Sequence, residues 1–104
     1  MKRNTFNDRC YKLLRKVPKG KVTTYGEIAK KLGTEGYRAV GNAMHRNPYA
    51  PVVPCHRVVR SDGTLGGYAG GLKKKIKLLN QEKVEVKGGK VNLKKYMYKF
   101  GASR

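Results

Sequence analysis

The sequence predicts a mainly α fold: a single small domain of winged helix-turn-helix type with short β elements. Three observations carry that prediction. Apolar residues recur at helical spacing in four stretches. Two of those stretches are joined by a short turn holding a glycine. A glycine pair flanked by valines near the carboxyl end has the chemistry of a hairpin. The 104 residues have the length of one domain, so residues 1–104 are read as that domain, with no N-terminal partner domain.

The elements follow in order. Phe6, Cys10, Leu13, Leu14 and Val17 share one face of a helix over 6–17, capped by Thr5 and stopped at Pro18-Lys19-Gly20. Cys10 lies on that face and is expected to be a buried spectator. Lys21 to Thr24 reads as extended. Thr24 then caps a helix over 25–32 with Ile28, Ala29 and Leu32 inward, and Glu27 completes a capping box. Gly33 ends it. A third helix spans 36–46, with Ala39, Val40 and Ala43 inward, which makes the pair a helix-turn-helix. Asn47 to Val53, with two prolines, is a constrained loop. Pro54-Cys55-His56-Arg57 and Val58-Val59 follow, then a turn at Ser61-Asp62-Gly63. Gly66-Gly67-Tyr68-Ala69-Gly70-Gly71 is a glycine-rich loop without the Lys-Ser or Lys-Thr ending of a phosphate-binding loop. A helix over 72–80 has Ile76 and Leu79 apolar and lysines elsewhere. Val84 to Val91 forms a hairpin, and Asn92 caps a last turn carrying Leu93, Tyr96 and Met97.

Charge narrows the function classes. Twenty-five Lys and Arg against six Asp and Glu give a net charge of +19. Such an excess concentrates phosphate backbones and makes association salt-sensitive. A membrane surface is the competing polyanion, but no stretch approaches the ~20 apolar residues of a span, and the amino end lacks a signal-peptide core. Two cysteines in unlike surroundings make neither a disulfide framework nor a zinc cluster. The expectation is a reduced cytoplasmic or nucleoid setting, a monomer, and neither metal nor cofactor.

Cys55 is the candidate for chemistry. A thiol is a poor nucleophile until ionised. Pro54 would restrain the backbone before it, while His56 and Arg57 favour the thiolate and His56 passes a proton through water to a carboxylate. Adjacent Cys-His is weak evidence alone, since neighbouring side chains often point apart.

The wider pattern is more specific. Thr24-Tyr25-Gly26, Arg38-Ala39-Val40-Gly41, Asn47-Pro48, Pro54-Cys55-His56-Arg57-Val58-Val59, the Gly66 to Gly71 loop and Leu78-Leu79-Asn80-Gln81-Glu82 occur in a distinctive order. In that order the chain closely resembles the active-site domain of the O6-alkylguanine-DNA alkyltransferases. The resemblance covers most of residues 6–82. It implies that Cys55 accepts an alkyl group from O6 of a damaged guanine in double-stranded DNA, with His56 linked through water to the thiol and paired with Glu82. It implies that Tyr25 protonates or hydrogen-bonds the leaving base. It makes Arg38 the finger that fills the gap left by a rotated-out nucleotide, with Ala39 and Gly41 permitting close approach in the minor groove. Tyr68 and Ala69 belong to the wall of the base pocket, Asn47 fixes the turn around it, and Pro54 precedes the nucleophile. The thioether product has no easy leaving partner, so the protein is expected to react once.

Two features depart from that pattern. Ala69 stands where many alkyltransferases have serine, removing a hydroxyl from the pocket loop. The tail from Val86 to Leu93 is similar to that of the short alkyltransferase-like proteins, which bind alkylated DNA without removing the lesion and carry tryptophan or another residue in place of the acceptor cysteine. A non-catalytic lesion binder is therefore the alternative, and a helix-turn-helix regulator or nucleoid protein the third.

Overall fold

The computed structural model describes residues 5–34, 36–49, 53–68 and 71–100. Among them the expected mainly α architecture is present, with two small β pairs. Helix α1 (Phe6–Leu14) opens with Thr5 Oγ1 accepting from Asp8 N–H at 3.1 Å. It ends three residues earlier than its periodicity suggests. Pro18 disfavours helical backbone at the residue before it, so the chain tightens through Lys16 N–H to Leu13 and Val17 N–H to Leu14, and Val17 stays buried.

Strand β1 (Thr23–Thr24) leads directly into α2 (Tyr25–Lys31), whose cap is Thr24 accepting from Glu27 N–H at 3.0 Å. Gly33, at φ +75°, closes α2: Gly33 N–H reaches Lys30 O and Thr34 N–H reaches Ala29 O. These two bonds are the left-handed glycine cap that lets a helix stop and the chain reverse. Helix α3 (Tyr37–His45) follows and packs on α1 and α2, with Tyr11 donating to Ala43 O at 2.8 Å across the α1–α3 contact. Val40 and Ala43 point inward as expected. Ala39 does not: it is exposed, and Met44 takes the third inward place. The inward stripe is thus 40, 43 and 44, the i, i+3, i+4 spacing of a helix face.

A 3-10 turn (Cys55–Arg57) precedes β2 (Val58–Val59), and β2 pairs in parallel with β1, Thr23 opposite Val58 and Thr24 opposite Val59. Tyr25 follows β1 directly and the 3-10 turn that starts at Cys55 precedes β2, so the strand pair joins the two segments. Helix α4 (Leu72–Gln81) packs on the 3-10 turn. Strands β3 (Val86–Lys87) and β4 (Lys90–Val91) form the expected hairpin, with Gly88 and Gly89 both at positive φ as a two-residue turn demands. Asn92 caps the short α5 (Leu93–Tyr96), and the chain then returns to β1: Val22 N–H bonds Tyr96 O and Tyr98 N–H bonds Val22 O. The core divides into two clusters. One joins α1, α2 and α3 to Val53, Cys55 and Val58, and the other joins Val22, Val59, Leu65 and Leu79 to Val84, Val91 and Tyr96.

Candidate active site

Tyr25, the first residue of α2, and Cys55 face one space. Between them and α3 lies a cavity of about 570 Å³, within the ~300–1,000 Å³ range of small-ligand sites. Cys55, Tyr25, Arg38, Gly41 and Tyr68 all line it. Cys55 is only 4% exposed, yet that exposure is on the cavity wall. Burial raises the pKa of the Tyr25 and Tyr68 hydroxyls, so both stay protonated at neutral pH, although the charge of Arg60 opposes the rise at Tyr25. Gly66, at φ +70°, lies flat against Tyr25; a Cβ there would come within 3.1 Å of the hydroxyl. That close approach holds the tyrosine ring in place.

Behind the wall sits a three-residue ionic cluster. His56 Nε2 is 3.0 Å from Glu82 Oε2, while Arg57 grips the same carboxylate through Nε (2.8 Å) and Nη2 (2.6 Å) and also donates to Val17 O. A carboxylate only accepts, so Nε2 carries the imidazole proton and Nδ1 keeps its lone pair. Nδ1 is buried and has no hydrogen-bond partner in the protein among the described residues. Burial lowers the His56 pKa and outweighs the pull of Glu82, so the ring is neutral at pH 7. For Glu82 burial acts upward, but the bonds from Arg57 and His56 prevail and hold it below the usual carboxylate range. Arg57, expected to act on the thiol, instead faces this carboxylate.

Glu82 reaches the cluster because α4 ends on it. The next residue, Lys83, adopts φ +69°, and Lys83 N–H to Asn80 O and Val84 N–H to Leu79 O close the helix. Asn47 and Pro54 do not line the cavity. Asn47 spans the loop instead, donating from Nδ2 to Val53 O (2.8 Å) and accepting from Tyr49 N–H (2.9 Å). Ala39 lies on the exposed side of α3 outside the cavity, and Ala69 lies outside the described residues.

Several residues escaped the sequence reading. Asn42 and His45 line the cavity beside Arg38 and Gly41. Residues 38, 41, 42 and 45 form a second helical stripe, a signal present in the periodicity but overshadowed by the apolar one. Lys75, one of the lysines to which the sequence assigned no role, is fully buried. Its ammonium donates to Val58 O (2.7 Å), Leu65 O and Gly67 O (3.1 Å), tying β2 to the loop that forms the cavity wall. Burial pulls its pKa down to about 8, and nearby Cys55 acts in the other direction.

The fold and site define a class: a helix-turn-helix domain whose second helix borders a pocket walled by a cysteine. Residues 5–84 match the model of a family described as 6-O-methylguanine DNA methyltransferase, DNA binding domain, and the chain belongs to that family. It is 49% identical over 82 residues to a methylated-DNA–protein-cysteine methyltransferase of Mycobacterium leprae, covering 78% of this chain and 50% of that protein. The O6-methylguanine-DNA methyltransferase of the archaeon Pyrococcus kodakaraensis superposes with a TM-score of 0.72 at 50% identity, over 78% of this chain and 47% of that one. S. pombe Atl1, crystallised with damaged DNA containing O6-carboxymethylguanine, superposes with a TM-score of 0.82 at 36% identity, over 95% of this chain and 99% of that one. The chain spans about half or less of the length of the curated methyltransferases it matches. No helix among the described residues is long and apolar enough to cross a membrane.

Proposed function

We propose that this chain repairs duplex DNA by moving the alkyl group of an O6-alkylguanine onto its own Cys55, once per molecule. The observation that carries the reading is the shared cavity: Cys55, Tyr25, Tyr68 and Arg38 border one space, with the His56–Glu82 pair directly behind the cysteine. The target atom is inaccessible inside a duplex, so the nucleotide is rotated into the cavity. Arg38 occupies the gap and Tyr68 stacks on the base. The Nδ1 lone pair of His56 receives the Cys55 proton, directly or through water, and Glu82 steadies the resulting imidazolium. The Cys55 Sγ–carbon bond then forms as the carbon–O6 bond breaks, its electron pair leaving with guanine. Tyr25 donates a proton to the departing base, whose charge would otherwise be uncompensated. The product is a thioether, which water does not cleave.

Intact mass tests this reading. One equivalent of O6-methylguanine duplex adds about 14 Da to the protein, and Cys55→Ser abolishes the gain while retaining affinity for the lesion. A second reading is favoured by the tail. The match to Atl1 extends over 95% of the chain, whereas the methyltransferase relatives align over 74–85% of it. A lesion binder of that kind would hold alkylated DNA tightly and leave the protein mass unchanged.

A further inference from the structure

The cavity has an unclaimed cation. Arg60 follows β2, and its side chain lines the cavity beside Ser61, Gly66 and Tyr25. It is exposed, and among the described residues no ion pair engages it; its backbone N–H donates to Thr64 O and its carbonyl accepts from Gly63 N–H. No described residue lining the cavity is acidic. Asp62, two positions on, turns into Thr64, accepting from that residue's N–H and hydroxyl. Glu27 lines a separate hollow with Lys30 and Thr34, and Glu82 is held by His56 and Arg57. The Arg60 charge is nonetheless felt inside the site, acting on both the Tyr25 hydroxyl and the Lys75 ammonium. A guanidinium with no ion-pair partner among the described residues, at a largely apolar pocket, is a receptor for a carboxylate, which it can bind through two parallel bonds.

We infer that Arg60 is a specificity-determining residue that selects O6 adducts ending in a carboxylate, O6-carboxymethylguanine being the simplest, over neutral adducts of the same size. This inference rests on the proposed transfer reaction and names its substrate class. The chemistry is the same as for methyl. Cys55 Sγ bonds the CH2 carbon, the bond from that carbon to O6 breaks with its electron pair going to guanine, and Tyr25 supplies the proton to the base. The carboxylate remains on the Cys55 thioether, facing Arg60. A cavity of about 570 Å³ leaves room for a substituent larger than methyl beside a purine.

The test compares duplexes carrying O6-carboxymethylguanine and its neutral isostere O6-carbamoylmethylguanine, with wild type and Arg60→Gln. Single-turnover transfer is read by intact mass, the carboxymethyl group adding about 58 Da. The wild type favours the anionic adduct by about tenfold or more, as a charge-assisted hydrogen bond in a pocket requires, and Arg60→Gln removes the preference. Equal losses on both duplexes would make Arg60 a contact to the DNA phosphates and overturn the inference, as would no change on either. Lesion affinity of Cys55→Ser, with and without Arg60→Gln, gives the same comparison without chemistry. If no mass gain occurs on any duplex the transfer reading fails, while the affinity preference still decides the role of Arg60.

Discussion

Glu82 serves two neighbours: it fixes the tautomer of His56 and neutralises Arg57. The pH dependence follows from the directions of the shifts. The folded-state pKa of His56 lies below its ordinary 6.5, so in the interval between the two values the unfolded chain holds the proton and the folded one does not. Stability rises with pH across that interval. Relative to His56→Gln, the wild type is therefore expected to lose melting temperature as pH falls below 6.5 and to be level above it. Glu82, shifted downward from 4.5, adds a loss at lower pH, as the pH falls through its folded value. A flat difference between wild type and His56→Gln from pH 7.5 to 5 would contradict the buried neutral ring. Lys75 is the residue the sequence concealed. In a run of lysines on a helix, one buried ammonium reads like its exposed neighbours, because what buries it is a set of backbone carbonyls supplied by other segments. Lys75→Met leaves those carbonyls unpaired and is expected to lower unfolding free energy by about 1–3 kcal/mol in urea titration, with slower transfer because the cavity wall loosens.

At the scale of elements, the helix-turn-helix was legible because its signals are local. Thr24, Glu27 and Gly33 punctuate α2, and Val40 and Ala43 mark the inner face of α3, although the face turns towards Met44 and away from Ala39. The β1–β2 pair was not legible. Two-residue strands have no periodicity, and parallel pairing between residues 35 apart leaves no trace in either segment. Yet that pair joins the segment that runs into Tyr25 to the one that begins at Cys55, and both residues border the cavity. The resemblance of motifs, rather than any pattern of spacing, joined those two residues in the sequence reading. The end of α4 offers a separate test. Lys83 occupies the left-handed region that glycine takes without penalty. Lys83→Gly is expected to raise stability by about 1 kcal/mol, read by urea unfolding, and to leave Glu82 in position. A destabilised variant would mean that the Lys83 side chain contributes more than the strain costs.

Across the whole molecule, the excess of +19 charges predicts that duplex binding weakens steeply with salt, by about a thousandfold between 50 and 200 mM if some six phosphates are neutralised. Fluorescence anisotropy on undamaged duplex measures that slope, and a salt-independent affinity would remove the electrostatic account of DNA association. The two cysteines give the molecule its own internal control. Cys10 is fully buried in the α1 face, and burial pushes its thiol up to about 11, whereas Cys55 opens onto the cavity. Both carry the same element and only one has a pocket. The most direct measurement is therefore peptide-mapped mass spectrometry after reaction with one equivalent of O6-methylguanine duplex. One methyl on the peptide containing Cys55 and none on that containing Cys10 is the predicted result. Methylation of Cys10, or an unmodified Cys55 in protein that holds the lesion tightly, would contradict it.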